Sequence, residues 1–356
     1  MTSPASLVRE DILALQGYHV TPAAGMVKLD AMESPYRLPG PLRDELGKRL
    51  GDVAINRYPD PLAPRLKEKL RAAMAIPAGL DILLGNGSDE ILQLVSLALA
   101  RPGATVLSLE PSFSMYRICA AFAGMRYAGV PLNGDFTLDE AALMAAVDAH
   151  RPALTWIAYP NNPTGNLFPR DAILRLLDRS PGLVVVDEAY FPFSGGATLL
   201  DRVGKHPNLL LVRTVSKLGL AGLRLGLAVG TADWIAELEK LRLPYNVNAL
   251  TACAAEFVLD HHEVLAGQAQ AIVADRSRIE AGLDKLEGVT RFVSATNFVL
   301  VRVAGAGAVF ERLKARGILV RNLHGSHPLL ENCLRLTVGT PDENDLLLEA
   351  LAASLT

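Results

Sequence analysis

Residues 183–190 read Leu183-Val184-Val185-Val186-Asp187-Glu188-Ala189-Tyr190. A run of apolar, mostly β-branched residues without polar alternation suits a strand covered on both faces. The switch to two carboxylates and a phenol marks the place where such a strand leaves the core. The same pattern recurs on either side. Residues 154–158 run into Tyr159-Pro160-Asn161-Asn162-Pro163-Thr164-Gly165, and residues 209–212 run into Arg213-Thr214-Val215-Ser216-Lys217. Further apolar runs lie at 105–109 and 225–229, with helical periodicity at 138–149 and 170–179 between some of them. Strands and helices alternating at this spacing predict an α/β fold with a mostly parallel, doubly wound sheet.

Outward from this centre the texture changes. The first forty or so residues are rich in Pro, Gly and polar residues and read as an extended arm that leans on another part of the molecule. Beyond Gly230 a helical tract at 249–286 has few breakers. It is followed by a strand at 298–303, a helix at 309–316, strands at 318–320 and 334–338, and a last helix at 341–354. That is a smaller α+β unit. The expected organisation is an arm over 1–45 packing on the small unit, a large domain over 46–255 and a small C-terminal domain over 256–356. The hinge is expected within the long helical tract. No internal repeat interrupts this plan.

Composition removes several classes. Of the 356 residues, 50% are hydrophobic and 21% charged, which is globular rather than disordered. The formal charge is −3 with no basic stripe, so nucleic acid is not an expected partner. Cys119, Cys253 and Cys333 lie far apart, predicting neither a disulfide framework nor a zinc site. His261-His262-Glu263 are adjacent, so they do not share a helix face as metal ligands do; no metal is expected. No signal peptide or membrane span is read, and the cytoplasm is the expected compartment.

Ligands of open α/β sheets bind outside the carboxyl ends of the strands. There an amide (Asn162), a carboxylate with a phenol (Asp187, Tyr190) and an amine (Lys217) converge. Gly85-Asn86-Gly87-Ser88-Asp89 adds a helix start, with Ser88 read as the hydroxyl cap and free N–H groups that suit a phosphate. A lysine reactive toward a carbonyl needs a lowered pKa. A buried carboxylate makes sense beside a protonated ring nitrogen. Pyridoxal phosphate carries an aldehyde, a pyridinium and a phosphate in one molecule.

The ordered set NNPTG (161–165), DEAY (187–190) and SKLGLAGLRLG (216–226) resembles the fold-type I aminotransferases, and within them the histidinol-phosphate aminotransferases. Tyr58-Pro59-Asp60, Glu110-Pro111-Ser112-Phe113 and the stretch 334–340 extend the likeness over essentially the whole chain. The resemblance implies transfer of an amino group between histidinol phosphate and 2-oxoglutarate in histidine biosynthesis. It implies that Lys217 binds the cofactor covalently and then acts as the base. Asp187 would pair with the ring nitrogen, and Asn162 and Tyr190 would bond the phenolic oxygen. Phe113 would stack on the ring. Gly87, Ser88, Ser216 and Arg224 would hold the phosphate, with Asp89 beside them. Tyr58 would reach the phosphate of the other subunit, which implies a homodimer. Arg335 would grip a carboxylate, Arg321 the substrate phosphate, and Tyr18 and Tyr36 would close over the substrate. Two departures stand out: Ser34 replaces an asparagine common in relatives, and the segment between Lys217 and Arg224 is one residue short.

Each residue alone has a bland reading. A lysine after a strand is usually solvated, NNPTG is good turn chemistry, and a lone Phe113 is usually core. The loop at Gly85–Asp89 lacks the third glycine of a dinucleotide site. The rival functions on the same parts are aromatic amino-acid transamination and decarboxylation of a phosphothreonine type. A regulatory module that merely holds the cofactor is the rival from another class.

Overall fold

The computed structural model describes residues 3–15, 17 and 21–355. Twelve strands are present among them: β1 (Val27–Leu29), β2 (Asp81–Asn86), β3 (Thr105–Glu110), β4 (Arg126–Pro131), β5 (Leu154–Ala158), β6 (Leu183–Asp187), β7 (Leu209–Thr214), β8 (Leu225–Gly230), β9 (Val289–Arg291), β10 (Phe298–Val303), β11 (Ile318–Asn322) and β12 (Cys333–Thr337). Seven form one sheet in the order β2-β8-β7-β6-β5-β3-β4, and five form another in the order β1-β11-β12-β10-β9. In the larger sheet only β8 opposes its neighbours, pairing antiparallel with both β2 and β7. The rest is the parallel, doubly wound sheet that the apolar runs predict.

The unbroken apolar character of β6 follows from its position. Val184 and Val186 face one core with the helices Pro64–Ala73, Glu140–His150 and Arg170–Arg179. Leu183 and Val185 face the other, with Ser88–Leu99, Met115–Phe122 and Ala232–Glu239. Side chains alternate across the sheet, so covering both faces leaves no solvent-facing positions in the strand. Each such side chain contributes about 1.5–3 kcal/mol on full burial. The smaller sheet packs one face on the helices His262–Leu283, Ala306–Ala315 and Pro341–Leu355.

Three local expectations are corrected. The tract 249–286 is two helices, Ala249–Leu259 and His262–Leu283, broken at Asp260 and His261. There Lys69 Nζ bonds the Glu256 carbonyl at 3.0 Å and pairs with the Asp260 carboxylate, a cation placed favourably at a helix C-terminus. Gly87, not Ser88, is the N-cap of Ser88–Leu99; its φ of +81° turns the chain, and Ser88 enters the first helical turn. Gly85 and Asn86, read as part of the loop that opens the helix, instead end strand β2. Among the described residues no helix is long and apolar enough to cross a membrane.

Candidate active site

Strand register sets the site. Ala158 lies beside Asp187 and Asp187 beside Val212, so β5, β6 and β7 end on one rim and hand their next residues to one side of the sheet. The start of helix Ser88–Leu99 meets the same rim. At Gly226, on β8, an added Cβ would stand 2.4 Å from the Ser88 backbone nitrogen, so this glycine lets the helix start press directly on the sheet. Together these elements enclose about 590 Å³ of empty space open to solvent.

Lys217 enters this cleft from the short turn Ser216–Leu218. Its Nζ donates to the Ala31 carbonyl at 3.5 Å and lies 5.7 Å from the centre of the Tyr190 ring. Burial, and then the positive charge of Arg335, push its pKa down to about 8. Asp187 lines the same cleft. Its carboxylate accepts from the Tyr116 hydroxyl at 2.9 Å and the Ala189 N–H at 3.1 Å. Burial pushes its pKa up to about 6. Among the described residues it makes no ion pair. The next carboxylate, Glu188, points the other way, as strand alternation requires. It receives Arg213 at 2.8 Å, Thr198 at 2.7 Å and the Leu199 N–H at 2.7 Å, and is a structural pair rather than part of the cleft.

Ser88, Asp89, Phe113, Asn162, Tyr190, Ser216 and Arg224 line the same space. The segment between Lys217 and Arg224, though short, still delivers Arg224 there. Its Nη2 stands 3.5 Å from Asp89, and an added Cβ on Gly87 would come within 2.6 Å of it. Arg335 reaches the edge of the cleft from β12, donating to Asn162 Oδ1 at 2.6 Å and to the Asp30 carbonyl at 2.9 Å. Arg321 sits directly across from Arg335 in the β11–β12 register, hence on the same face of the small sheet. Phe113 meets Tyr116 edge to face at 5.6 Å.

Other expected residues are elsewhere. Tyr36 lies with its hydroxyl 3.5 Å from Asp275 and does not line the cleft. Tyr58 is 81% exposed and stacks on Tyr245 at 4.4 Å, outside the cleft of its own chain. Tyr18 lies outside the described residues. Among the lining residues that escaped the sequence reading, three carry a hydroxyl or a sulfur into the site: Tyr116, Thr214 and Met32. Tyr116 is buried, stacked on Trp156 at 5.2 Å, with its pKa held well above the usual phenol range by burial. Its position three residues after Phe113 on a helix was the available signal. Thr214 donates to Ser216 Oγ at 2.8 Å, a local bond that spacing suggests only weakly. Met32, in the arm, had no signal at all.

The buried carboxylate of Asp187, with no cationic partner among the described residues, fits a cationic ring nitrogen. The lowered Lys217 fits an aldehyde, and the helix start beside Ser216 and Arg224 fits a phosphate. The donor set is therefore the one pyridoxal phosphate requires.

The chain is similar to known proteins over almost its whole length. The family model for aminotransferase class I and II matches residues 27–351. Histidinol-phosphate aminotransferase 1 of Ralstonia nicotianae is 55% identical over 355 residues, covering 98% of this chain and 94% of that protein. The histidinol-phosphate aminotransferase of Chromobacterium violaceum is 54% identical over 345 residues, 97% of each. The crystal structure of histidinol-phosphate aminotransferase from Sinorhizobium meliloti in complex with pyridoxal-5'-phosphate superposes with a TM-score of 0.88 at 27% identity, covering 98% of each chain. This chain belongs to the class I and II aminotransferases, and within them to the histidinol-phosphate aminotransferases.

Proposed function

We propose that the chain is a pyridoxal-phosphate enzyme that exchanges an amino group between histidinol phosphate and 2-oxoglutarate, making histidinol phosphate from imidazole acetol phosphate and glutamate in the cell. The observation that carries the reading is one cleft lined by both a desolvated lysine and a buried carboxylate that has no cationic partner among the described residues. The identity to named relatives supports the choice of substrate.

When bound, the cofactor supplies an aldehyde for the amine and a cationic ring that accepts electrons from the substrate carbon. The chain's residues do the rest. Asp187 would keep the ring nitrogen protonated, because an anion beside that nitrogen favours its charged form. Tyr116, donating to Oδ2, fixes the direction of that carboxylate. Gly87, Ser88, Ser216 and Arg224 bind the phosphate through N–H, hydroxyl and guanidinium donors, with Asp89 orienting Arg224. Asn162 and Tyr190 would donate to the phenolic oxygen, and Phe113 would lie against the ring. Lys217 Nζ, neutral in a sizeable fraction near pH 8, takes a proton from the substrate's reacting carbon and returns it. Arg335 binds the carboxylate of glutamate bidentately, and Arg321 beside it binds the phosphate of histidinol phosphate. Tyr18 shields the substrate, whereas Tyr36 is held at Asp275 outside the cleft.

The working assembly is a cytoplasmic homodimer in which Tyr58 reaches the partner's phosphate site. Its exposure supports this, as do the exposed apolar residues Ile55, Leu62 and Leu243 on the segments that Tyr58 and Tyr245 join. The chain divides functionally into an arm (1–45), a large domain (46–255) and a small domain (256–356).

The test is glutamate formation from histidinol phosphate and 2-oxoglutarate by purified protein. Wild type should turn over, and Lys217→Ala should lose about 10³-fold or more. Rapid phenylalanine transamination without histidinol phosphate turnover would overturn the substrate, and carbon dioxide release from phosphothreonine would favour the decarboxylase.

A further inference from the structure

We propose that Met32 is a positioning residue whose thioether holds the Tyr190 hydroxyl at the cleft as a weak acceptor and yields it to the cofactor's phenolic oxygen. The inference rests on the cofactor reading above.

Asp30, Ala31 and Met32 cross the mouth of the cleft, and four side chains hold their backbone there. Arg335 takes the Asp30 carbonyl at 2.9 Å and Lys217 the Ala31 carbonyl at 3.5 Å. The buried Asn297 donates to the Met32 carbonyl at 2.9 Å, and the buried Thr337 accepts the Met32 N–H at 3.1 Å. Met32 is fixed in the left-handed region, with a φ of +55°. A side chain other than Gly, Asn or Asp seldom adopts that conformation unless its surroundings impose it. Both peptide groups are thus pinned, and the side chain is aimed into the cleft. Its Sδ stands 3.1 Å from the Tyr190 hydroxyl. The Tyr190 ring is itself held, edge to face against Phe298 at 5.3 Å, so the direction of the O–H is what Met32 governs. Burial keeps that phenol protonated, and a protonated phenol is a donor.

The choice of acceptor matters. Sulfur accepts weakly, so the hydroxyl is directed yet cheaply surrendered to a better acceptor. An amide in the same place would compete with the cofactor for it. Without the Tyr190 donor, the ring oxygen keeps its full charge and holds the neighbouring proton on the lysine nitrogen to higher pH.

Full-length protein loaded with pyridoxal phosphate is titrated from pH 5 to 10 through its visible absorption band. Tyr190→Phe should raise the midpoint by about one unit. Met32→Gln should raise it in the same direction by about half a unit. Met32→Leu, which leaves the hydroxyl without its directing acceptor, should raise it by a smaller amount, about 0.3 unit. In the Tyr190→Phe background Met32→Gln should add nothing, because the effect runs through that hydroxyl. An unmoved midpoint in Met32→Gln, or the same shift in both backgrounds, overturns the proposal. If Met32→Gln does not fold, Met32→Asn, which accepts the left-handed backbone, carries the same comparison. A wild-type protein with no visible band after loading would instead sink the cofactor reading and this inference with it.

Discussion

Asp187 carries a buried charge that has no counter-ion among the described residues, and that has a measurable consequence. Its carboxyl titrates near 6 in the fold against 3.8 in the reference state. Between those values the native protein holds a proton that the unfolded chain has lost, so stability falls as pH rises through this window. Above pH 6 the deficit is about 3 kcal/mol for a two-unit shift. Asp187→Asn should therefore raise the Tm of the cofactor-free protein at pH 7.5 by about 2 to 5 °C. The gain should shrink between pH 6 and 4. Scanning calorimetry at several pH values checks this; a pH-independent gain would mean that packing, not charge, is responsible. The same variant should bind pyridoxal phosphate and transaminate poorly, the usual opposition between stability and an active site.

At the scale of elements, the reading of the sequence was sharpest where burial was most complete. Strands β5, β6, β7 and β8 were legible because two covered faces demand apolar residues at every position. Edge strand β4 was not, since Arg126-Tyr127-Ala128-Gly129-Val130-Pro131 has exposed positions and reads as turn chemistry. In β2 the pair Gly85-Asn86 masked a strand that antiparallel pairing with β8 stabilises. The site followed the same logic. Asp187, Asn162 and Lys217 were readable because they sit at strand ends, where polar residues break an apolar run. Met32 was not, because what singles it out is a backbone angle imposed by Asn297 and Thr337 from far along the chain. Gly226→Ala would drive a methyl into the Gly87–Ser88 backbone. The displaced helix start should weaken pyridoxal phosphate binding by about tenfold or more, at a stability cost of about 1–3 kcal/mol. Equilibrium dialysis of the cofactor gives the first quantity and urea unfolding the second; unchanged affinity would show that the helix start does not hold the phosphate.

For the whole molecule, Tyr58 poses the question of assembly. If it completes the partner's site, Lys217→Ala and Tyr58→Ala dimers should each be nearly inactive. Random mixing of the two after dissociation should place both lesions in one site of each hybrid and leave the other intact. About a quarter of wild-type activity should return. No recovery, with subunit exchange verified by a tag, would exclude a shared site.

The edge pairing of β1 with β11 bears on how the protein is made. Val27, Lys28 and Leu29 lie in parallel register with Ile318, Leu319 and Val320. On a ribosome extending by about 5–20 residues per second, the opening segment waits for most of the synthesis before its strand partner emerges. Until then Leu29, fully covered in the finished protein, stays open to chaperones and proteases. The mouth of the cleft, only one residue beyond β1, takes its final shape among the last events of biogenesis.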